Sequence, residues 1–142
     1  MNPTAPPDVI PWAGIAAGVP DALIYADDAG LVRVWNAGAA ALFGFSAAEA
    51  LGQSLDLIIP ERLRAAHWAA YDRTLAAGAP RGGTDVRTTR ATHRAGRKLY
   101  AEMSFGGGRG GDGRALGPGT GARERPAGHL AAGAGPRAAA WK

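Results

Sequence analysis

Two short apolar runs joined by a turn sequence limit what the first part of this chain can fold into. Residues 22–26 and 31–35 are rich in β-branched, aromatic and aliphatic side chains, and the linker at 27–30 is Asp-Asp-Ala-Gly. Runs of this length are typical of strands, and Asp and Gly are typical of the turn between them. The sequence therefore predicts a β-hairpin near the start of the fold.

Capping signals after this hairpin predict a series of helices. Asn36 suits the N-cap of a short helix, because its side chain can accept a hydrogen bond from a free backbone N–H. Ser46 and Glu49 have the spacing of a capping box, which starts a second helix. A third short turn at 54–59 ends at a proline, and the longest helix is expected at residues 61–77.

Two further strands are expected after the long helix, at residues 84–92 and 98–105. In the second of them apolar and polar residues alternate, which is typical of a strand with one buried face. The apolar positions are Leu99, Ala101, Met103 and Phe105. Strands, then helices, then antiparallel strands predict an α+β fold in which one antiparallel sheet has its helices packed on one face.

The composition divides the chain into three segments. Residues 1–17 form an N-terminal extension with a short cap helix, residues 18–117 form the domain, and residues 118–142 form a tail rich in Gly, Ala, Pro and Arg. The tail contains no Ile, Val, Phe or Tyr, so it buries too little apolar surface to offset the entropy of ordering it. We therefore expect the tail to be disordered.

Charge and cysteine content exclude several classes of protein. The formal net charge is +4, but basic and acidic residues are equal in number in residues 1–105, so residues 106–142 carry the whole excess. A neutral body without a basic face is not typical of a nucleic-acid-binding domain. No apolar run approaches the length of a membrane span. Because the chain has no Cys, it has no disulfide framework or thiolate nucleophile, and a cytoplasmic location is expected.

The order and spacing of these elements resemble the PAS domain, a sensory module of signalling proteins. The segments that carry the resemblance are, in order, residues 25–30, 34–36, 42–46, 49–52, 58–61, 93–97 and 112–114. The resemblance implies the PAS fold, formation of a homodimer, and an output kinase, cyclase or transcription-regulator domain that is not in this chain. It also implies a bacterial type of two-component signalling.

The end of the chain departs from the PAS pattern. In the family the last strand lies in the middle of the sheet, beside the first strand. Here residues 115–124 include Gly117, Pro118, Gly119 and Gly121. Proline removes a hydrogen bond from the ladder and glycine weakens a strand interior. We therefore expect the final strand to be degraded, and a shift of reading frame or a truncation near residues 106–117 is one hypothesis for its cause.

His67 is the first candidate for a binding residue. Residues 61–105 resemble, without a gap, the haem-binding oxygen-sensor PAS domains of rhizobial histidine kinases. In that register His67 falls on the proximal ligand of the haem iron, Arg73 on an arginine near the propionates, and Arg87 on the arginine that contacts bound gas or a propionate. Neutral imidazole is a common axial ligand of haem iron, which agrees with this assignment.

A structural role for His67 is the alternative, in which the imidazole only packs or caps. Gly82 and Gly83 also lie where a haem pocket needs bulky apolar side chains. The absence of Cys excludes the branch of the family that forms a flavin–cysteine adduct. No nucleophile–base pair or pair of acids is evident, so the chain is not expected to be an enzyme.

Three functions therefore remain open at the level of sequence. The first is a PAS module that binds a small ligand and mediates dimerisation. The second is a haem-based gas sensor whose iron is bound by His67, and the third is a protein–protein interaction module without a ligand. The signal, the output partner and the oligomeric state are not encoded in any motif.

Overall fold

A computed structural model describes residues 9–77, 86–107 and 119–125 of the chain. Five strands, four α-helices and one 3-10 turn follow one another within these ranges. They are α1 (Trp12–Gly18), β1 (Ala22–Ala26), β2 (Val32–Trp35), α2 (Ala37–Phe43), α3 (Ala47–Ala50), the 3-10 turn (Leu55–Ile58), α4 (Glu61–Ala77), β3 (Arg87–Thr92), β4 (Lys98–Gly106) and β5 (Gly119–Glu124).

The strands form one antiparallel sheet in the order β2-β1-β5-β4-β3. β1 and β2 pair as the predicted hairpin, with Tyr25 opposite Val34. β3 and β4 form a second hairpin that runs without a break from Arg87 opposite Met103 to Thr92 opposite Lys98. The predicted α+β class and the antiparallel sheet are therefore confirmed.

The expectation of a weak, displaced or absent final strand is wrong. β5 lies between β1 and β4, with Ala122 opposite both Ala22 and Met103. Strand ladders join backbone N–H and C=O groups, which glycine has like any other residue, and β5 begins at Gly119, one residue after Pro118. The sheet thus extends past residue 117, where the sequence analysis ended the domain.

Two predictions about the end of the chain fall largely on residues that the structure does not describe. The prediction of a disordered tail concerns mainly residues 126–142. The hypothesis of an altered reading frame concerns mainly residues 108–117. Residues 1–8 of the predicted N-terminal extension also lie outside the described ranges, whereas its cap helix corresponds to α1.

The core lies between the inner face of the sheet and the helices. The largest fully buried side chains are Ile24 and Val32 from the first hairpin, Phe43 from α2, and Leu99 from β4. Each buried side chain of this size contributes about 1.5–3 kcal/mol through removal from water. Trp35 closes one end of the core, where its Nε1 donates to the carbonyl oxygen of Phe45 at 2.9 Å.

The predicted N-cap Asn36 has a larger role than capping. Its Oδ1 accepts from the N–H of Ala39 at 2.9 Å, as an N-cap does, and also from the N–H of Leu23 at 2.8 Å. Its Nδ2 donates to the carbonyl oxygens of Ala16 and Asp21, each at 3.0 Å, and of Val19 at 3.2 Å. One buried side chain therefore joins α1, β1 and α2. The predicted capping box of Ser46 and Glu49 is also present.

The long helix α4 presents the predicted face to the rest of the fold. His67 and Ala70 are buried, and Leu63 and Thr74 are half-buried. Tyr71 is buried as well, which the spacing did not predict. In the described part of the chain no helix has the length and apolar character needed to cross a membrane.

Candidate ligand site

A small cavity lies between the inner face of the sheet and the helical side of the fold, where α4 and the 3-10 turn contribute its wall. Its volume is about 40 Å³. Eight of its twelve lining residues are apolar: Ile24, Leu55, Ile58, Ile59, Leu63, Ala91, Met103 and Phe105. The other four are His67, Thr89, Arg90 and Thr120, so the apolar wall carries a few polar groups and no carboxylate.

His67 supplies an imidazole from α4 to this cavity. Only 4% of the residue is exposed. Burial lowers the pKa of His67 to about 4, and the nearby carboxylate of Asp56 opposes that shift without reversing it. At neutral pH the ring is therefore uncharged, with one nitrogen that donates and one that accepts a hydrogen bond.

Two aromatic neighbours hold the helix turn that carries His67. The ring centroid of His67 lies 4.7 Å from that of Trp68 and 5.8 Å from that of Tyr71. Trp68 donates from its Nε1 to Oδ1 of Asp56 at 2.8 Å. The Tyr71 hydroxyl donates to the carbonyl oxygens of Ala26 and Asp27 in the first hairpin. Burial raises the pKa of Tyr71 above its ordinary value, so the hydroxyl keeps its proton.

The opposite wall comes from the four strands β1, β3, β4 and β5. Thr89 and Ala91 occupy core-facing positions of β3, and Thr120 of β5 lies opposite Ile24 and Phe105. Arg90 borders the cavity from between Thr89 and Ala91, while its strand position faces the other side of the sheet. Thr120 was missed in the sequence analysis because its segment was assigned to the tail.

The structure does not bring Arg73 and Arg87 to the cavity with His67. Arg73 is exposed on α4, two residues beyond Tyr71. Arg87 is half-buried at the start of β3, opposite Met103. Neither residue lines the cavity. Gly82 and Gly83, which the resemblance assigned to a haem pocket, lie outside the described residues.

The described residues do not fit a haem group in this arrangement. His67 has the right chemistry for an axial ligand, since its imidazole is neutral and faces the cavity. The cavity volume, however, is only about 40 Å³. Pockets for cofactors and drug-sized ligands measure about 300–1,000 Å³. A porphyrin would require α4 and the sheet to separate.

The comparison with known families decides what kind of domain this is. The family described as PAS fold matches residues 12–117. The chain belongs to the PAS family. Among solved structures it is similar to the PAS domain of a protein from Colwellia psychrerythraea, with a TM-score of 0.68 and 20% identity, over 80% of this chain and 93% of that one. It is also similar to the PAS domain of nitrogen regulation protein NR(II) from Vibrio parahaemolyticus, with a TM-score of 0.60 and 20% identity, over 82% of this chain and 100% of that one.

The chain is also similar in sequence to a known sensor protein. Sensor protein FixL of Bradyrhizobium diazoefficiens is 39% identical over 49 residues, which are 34% of this chain and 10% of that protein. The chain therefore spans a small part of this relative. PAS domains are sensory modules of signalling proteins and are generally non-catalytic, and the sequence-based recognition of the family is confirmed.

Proposed function

We propose that this PAS domain senses a small uncharged molecule, which it binds in the cavity beside His67. The observation that carries the proposal is a buried, neutral imidazole at the edge of a cavity whose other walls are mostly apolar. Such a site favours a ligand with an apolar body and one group that donates or accepts a hydrogen bond. A cationic ligand would lose its hydration without finding a carboxylate in the wall.

The size of the cavity restricts the ligand further. A volume of about 40 Å³ holds a molecule of very few heavy atoms unless α4 moves away from the sheet. A similar fold supports this reading: the PAS domain of a LuxR-family transcriptional regulator from Burkholderia thailandensis was solved in complex with ethanol. It matches this chain at a TM-score of 0.60 with 14% identity.

The signal would leave the domain through a change in the population of two arrangements of helix and sheet. Because His67, Trp68 and Tyr71 share one turn of α4, a ligand at His67 shifts the contacts that Tyr71 makes with the first hairpin. The receiver would be an output kinase, cyclase or transcription-regulator domain outside this chain, in the cytoplasm. The similar PAS domain of a two-component sensor histidine kinase supports the first of these.

Homodimerisation is part of the proposal, and α1 supports it. This helix has no buried residue and no charged residue in its first or last turn. Trp12 and Ile15 are 69% and 49% exposed, and Val9 and Ile10 before them are exposed as well. Apolar side chains grouped in this way are typical of an interaction surface. Light scattering that shows a concentration-dependent dimer, weakened by Trp12→Ser, would support this part of the proposal.

Thermal unfolding in the presence of short alcohols tests the ligand site. Ethanol and propanol should raise the melting temperature of the protein. They should raise the melting temperature of a matched surface variant, Asp72→Asn, by the same amount. His67→Phe should remove the stabilisation, because its ring fills the cavity and has no hydrogen-bonding nitrogen. If alcohols change the melting temperatures of Asp72→Asn and His67→Phe equally, the result would contradict a site at His67.

Absorption spectroscopy separates this proposal from the haem alternative. After incubation with haem and removal of the excess, the protein should show no Soret band that depends on His67. A Soret band that is lost in His67→Ala and kept in Arg73→Ala would instead indicate a haem-based gas sensor with His67 on the iron. Arg87→Ala would then test the distal arginine that the resemblance implies.

A further inference from the structure

A second concave region lies on the helical side of the fold, between α3 and the 3-10 turn. Its volume is about 340 Å³, which is within the range of about 300–1,000 Å³ found for sites that bind small molecules. Two of its six lining residues are apolar and four are polar: Phe45, Leu57, Glu49, Gln53, Ser54 and Asp56. We call this region the α3 groove. It shares no lining residue with the cavity beside His67.

The 3-10 turn separates the α3 groove from that cavity. Leu55 and Ile58 line the cavity, whereas Asp56 and Leu57 line the groove. A 3-10 turn has three residues per turn, so residues three apart lie on the same side and the two between them point elsewhere. One short turn therefore provides a wall to two separate spaces, and a ligand in either space contacts that turn.

Both charged residues that line the α3 groove are acidic. Glu49 accepts from the N–H of Ser46 at 3.2 Å through Oε1, and its Oε2 lies 2.9 Å from a guanidinium nitrogen of Arg94. The hydrogen bond from Ser46 lowers the pKa of Glu49, so the side chain is a carboxylate at neutral pH. Asp56 accepts from Nε1 of Trp68 through Oδ1. Its Oδ2 takes part in none of the hydrogen bonds or ion pairs found between described residues.

The groove wall favours a cation that carries an apolar body. Among the described residues no Lys or Arg lines it, and Arg64 comes only within 3.9 Å of Oδ1 of Asp56. An ammonium group has three N–H donors and no acceptor, which suits the available oxygen of Asp56. The ring face of Phe45 attracts a cation, and Leu57 offers apolar contact. An anion would meet two carboxylates of its own sign.

We propose that the α3 groove binds a small organic amine, with the ammonium group on Asp56 and the apolar body against Phe45 and Leu57. The bound amine acts on α4 as well, because the carboxylate of Asp56 also holds the indole N–H of Trp68. The ring of Trp68 in turn contacts that of His67. An effect of the amine on the cavity beside His67 rests on the proposed function, whereas binding in the groove does not.

NMR titration of the nitrogen-labelled full-length chain with phenethylamine tests the proposal. The indole N–H resonance of Trp68, identified by its loss in Trp68→Phe, should shift as the amine is added. Backbone resonances of residues 53–57 should shift with the same affinity. The neutral analogue 2-phenylethanol has the same body without the charge, and it should bind about tenfold more weakly. Added salt should weaken binding of the amine and leave binding of the alcohol unchanged.

Asp56→Asn is the most informative variant, because asparagine keeps an oxygen acceptor for Trp68 and removes the charge. It should weaken binding of phenethylamine about tenfold. Phe45→Leu removes the aromatic face and should weaken binding about threefold. Where Asp56→Asn lowers the melting temperature, Glu49→Gln serves instead and should weaken binding about threefold. The matched control Asp72→Asn removes an exposed carboxylate outside the groove and should leave the affinity unchanged.

Three results would overturn the proposal. In the first, Asp72→Asn weakens binding as much as Asp56→Asn does, which would indicate a general charge effect. In the second, 2-phenylethanol binds as tightly as phenethylamine, which would indicate apolar contact without a site for a cation. In the third, His67→Phe abolishes binding of the amine and Asp56→Asn leaves it intact, which would place the amine in the cavity. Amine binding that persists in His67→Phe supports the α3 groove whether or not the cavity binds alcohols.

Discussion

The indole ring of Trp68 covers Gly30 so closely that a Cβ atom at residue 30 would overlap it. Gly30 is in the turn of the first hairpin and has a φ of 77°, a conformation that favours glycine. The Nε1 of Trp68 in turn donates a hydrogen bond to Asp56, which is part of the 3-10 turn. The two residues thus join α4 to the β1–β2 hairpin beside the candidate ligand site.

Gly30→Ala should lower the free energy of unfolding by about 2–4 kcal/mol, because it combines an unfavourable φ with overlap of the indole ring. Gly52→Ala is the matched control: its φ is 81°, but no atom lies within 4 Å of a Cβ there. The control should cost about 1 kcal/mol, from backbone conformation alone. Urea denaturation of both variants measures the difference, and equal losses would contradict the contact with Trp68.

Asn36→Asp should destabilise the fold by about 2 kcal/mol or more, although the two side chains have the same shape. The carboxylate keeps the acceptor for Leu23 and Ala39, but it cannot donate to the carbonyl oxygens that Nδ2 now binds. Ser46→Ala, which removes an exposed cap, should cost about 1 kcal/mol. If chemical denaturation gives Asn36→Asp the smaller effect, the junction of α1, β1 and α2 does not depend on this amide.

The stability of the protein should fall as the pH is lowered from about 6.5 to about 4. The folded pKa of His67 is about 4, below its ordinary value, so the unfolded chain takes up the proton first and is favoured across this window. The shift corresponds to about 3 kcal/mol at its full extent. Above pH 6.5 the stability should not depend on this residue's titration.

His67→Leu should remove most of that pH dependence, as measured by urea midpoints at pH 7, 5.5 and 4.5. The pKa of Asp27 is also lowered from its ordinary 3.8, mainly by the backbone N–H of Leu31 and by Arg33. Its contribution is lost only at still lower pH, so it does not imitate the effect of His67. A variant that keeps the full slope between pH 6.5 and 4.5 would show that another group is responsible.

Two truncations should separate β5 from the tail. A chain that ends at residue 117 lacks β5 and should lose cooperative unfolding, because β1 and β4 then have unpaired backbone groups in the middle of the sheet. A chain that ends at residue 125 keeps β5 and should melt within a few degrees of the full-length protein. Circular dichroism during heating distinguishes the two, and identical melting curves would argue against a central β5.

Local signals explain why much of the fold could be predicted from the sequence. The hairpin turn before Leu31, the N-cap at Asn36 and the capping box at Ser46 each act within a few residues, and each is present in the structure. β5 could not be found in this way. Its glycines carry little strand propensity, and its position follows from backbone pairing with β1 and β4, which are distant in the sequence.

The candidate site was only partly predictable for the same reason. The helical spacing of Leu63 and His67 correctly placed the imidazole on the inner face of α4. Thr89 and Thr120 come from strands on the opposite wall, and their approach to His67 depends on the closed sheet. Arg73 and Arg87 were assigned through the register of a family, which does not specify how far the helix lies from the sheet. Their role as cofactor-binding residues remains a prediction.

The central position of β5 bears on how the protein is made. The two hairpins, β1–β2 and β3–β4, meet in the described sheet only through β5, which is the last of the described strands. Both hairpins are synthesised before residues 119–124, so the edges of β1 and β4 that pair with β5 stay open until that segment is available. Open edges of this kind invite pairing with other chains. Expression yield should therefore depend on how quickly residues 119–124 are translated.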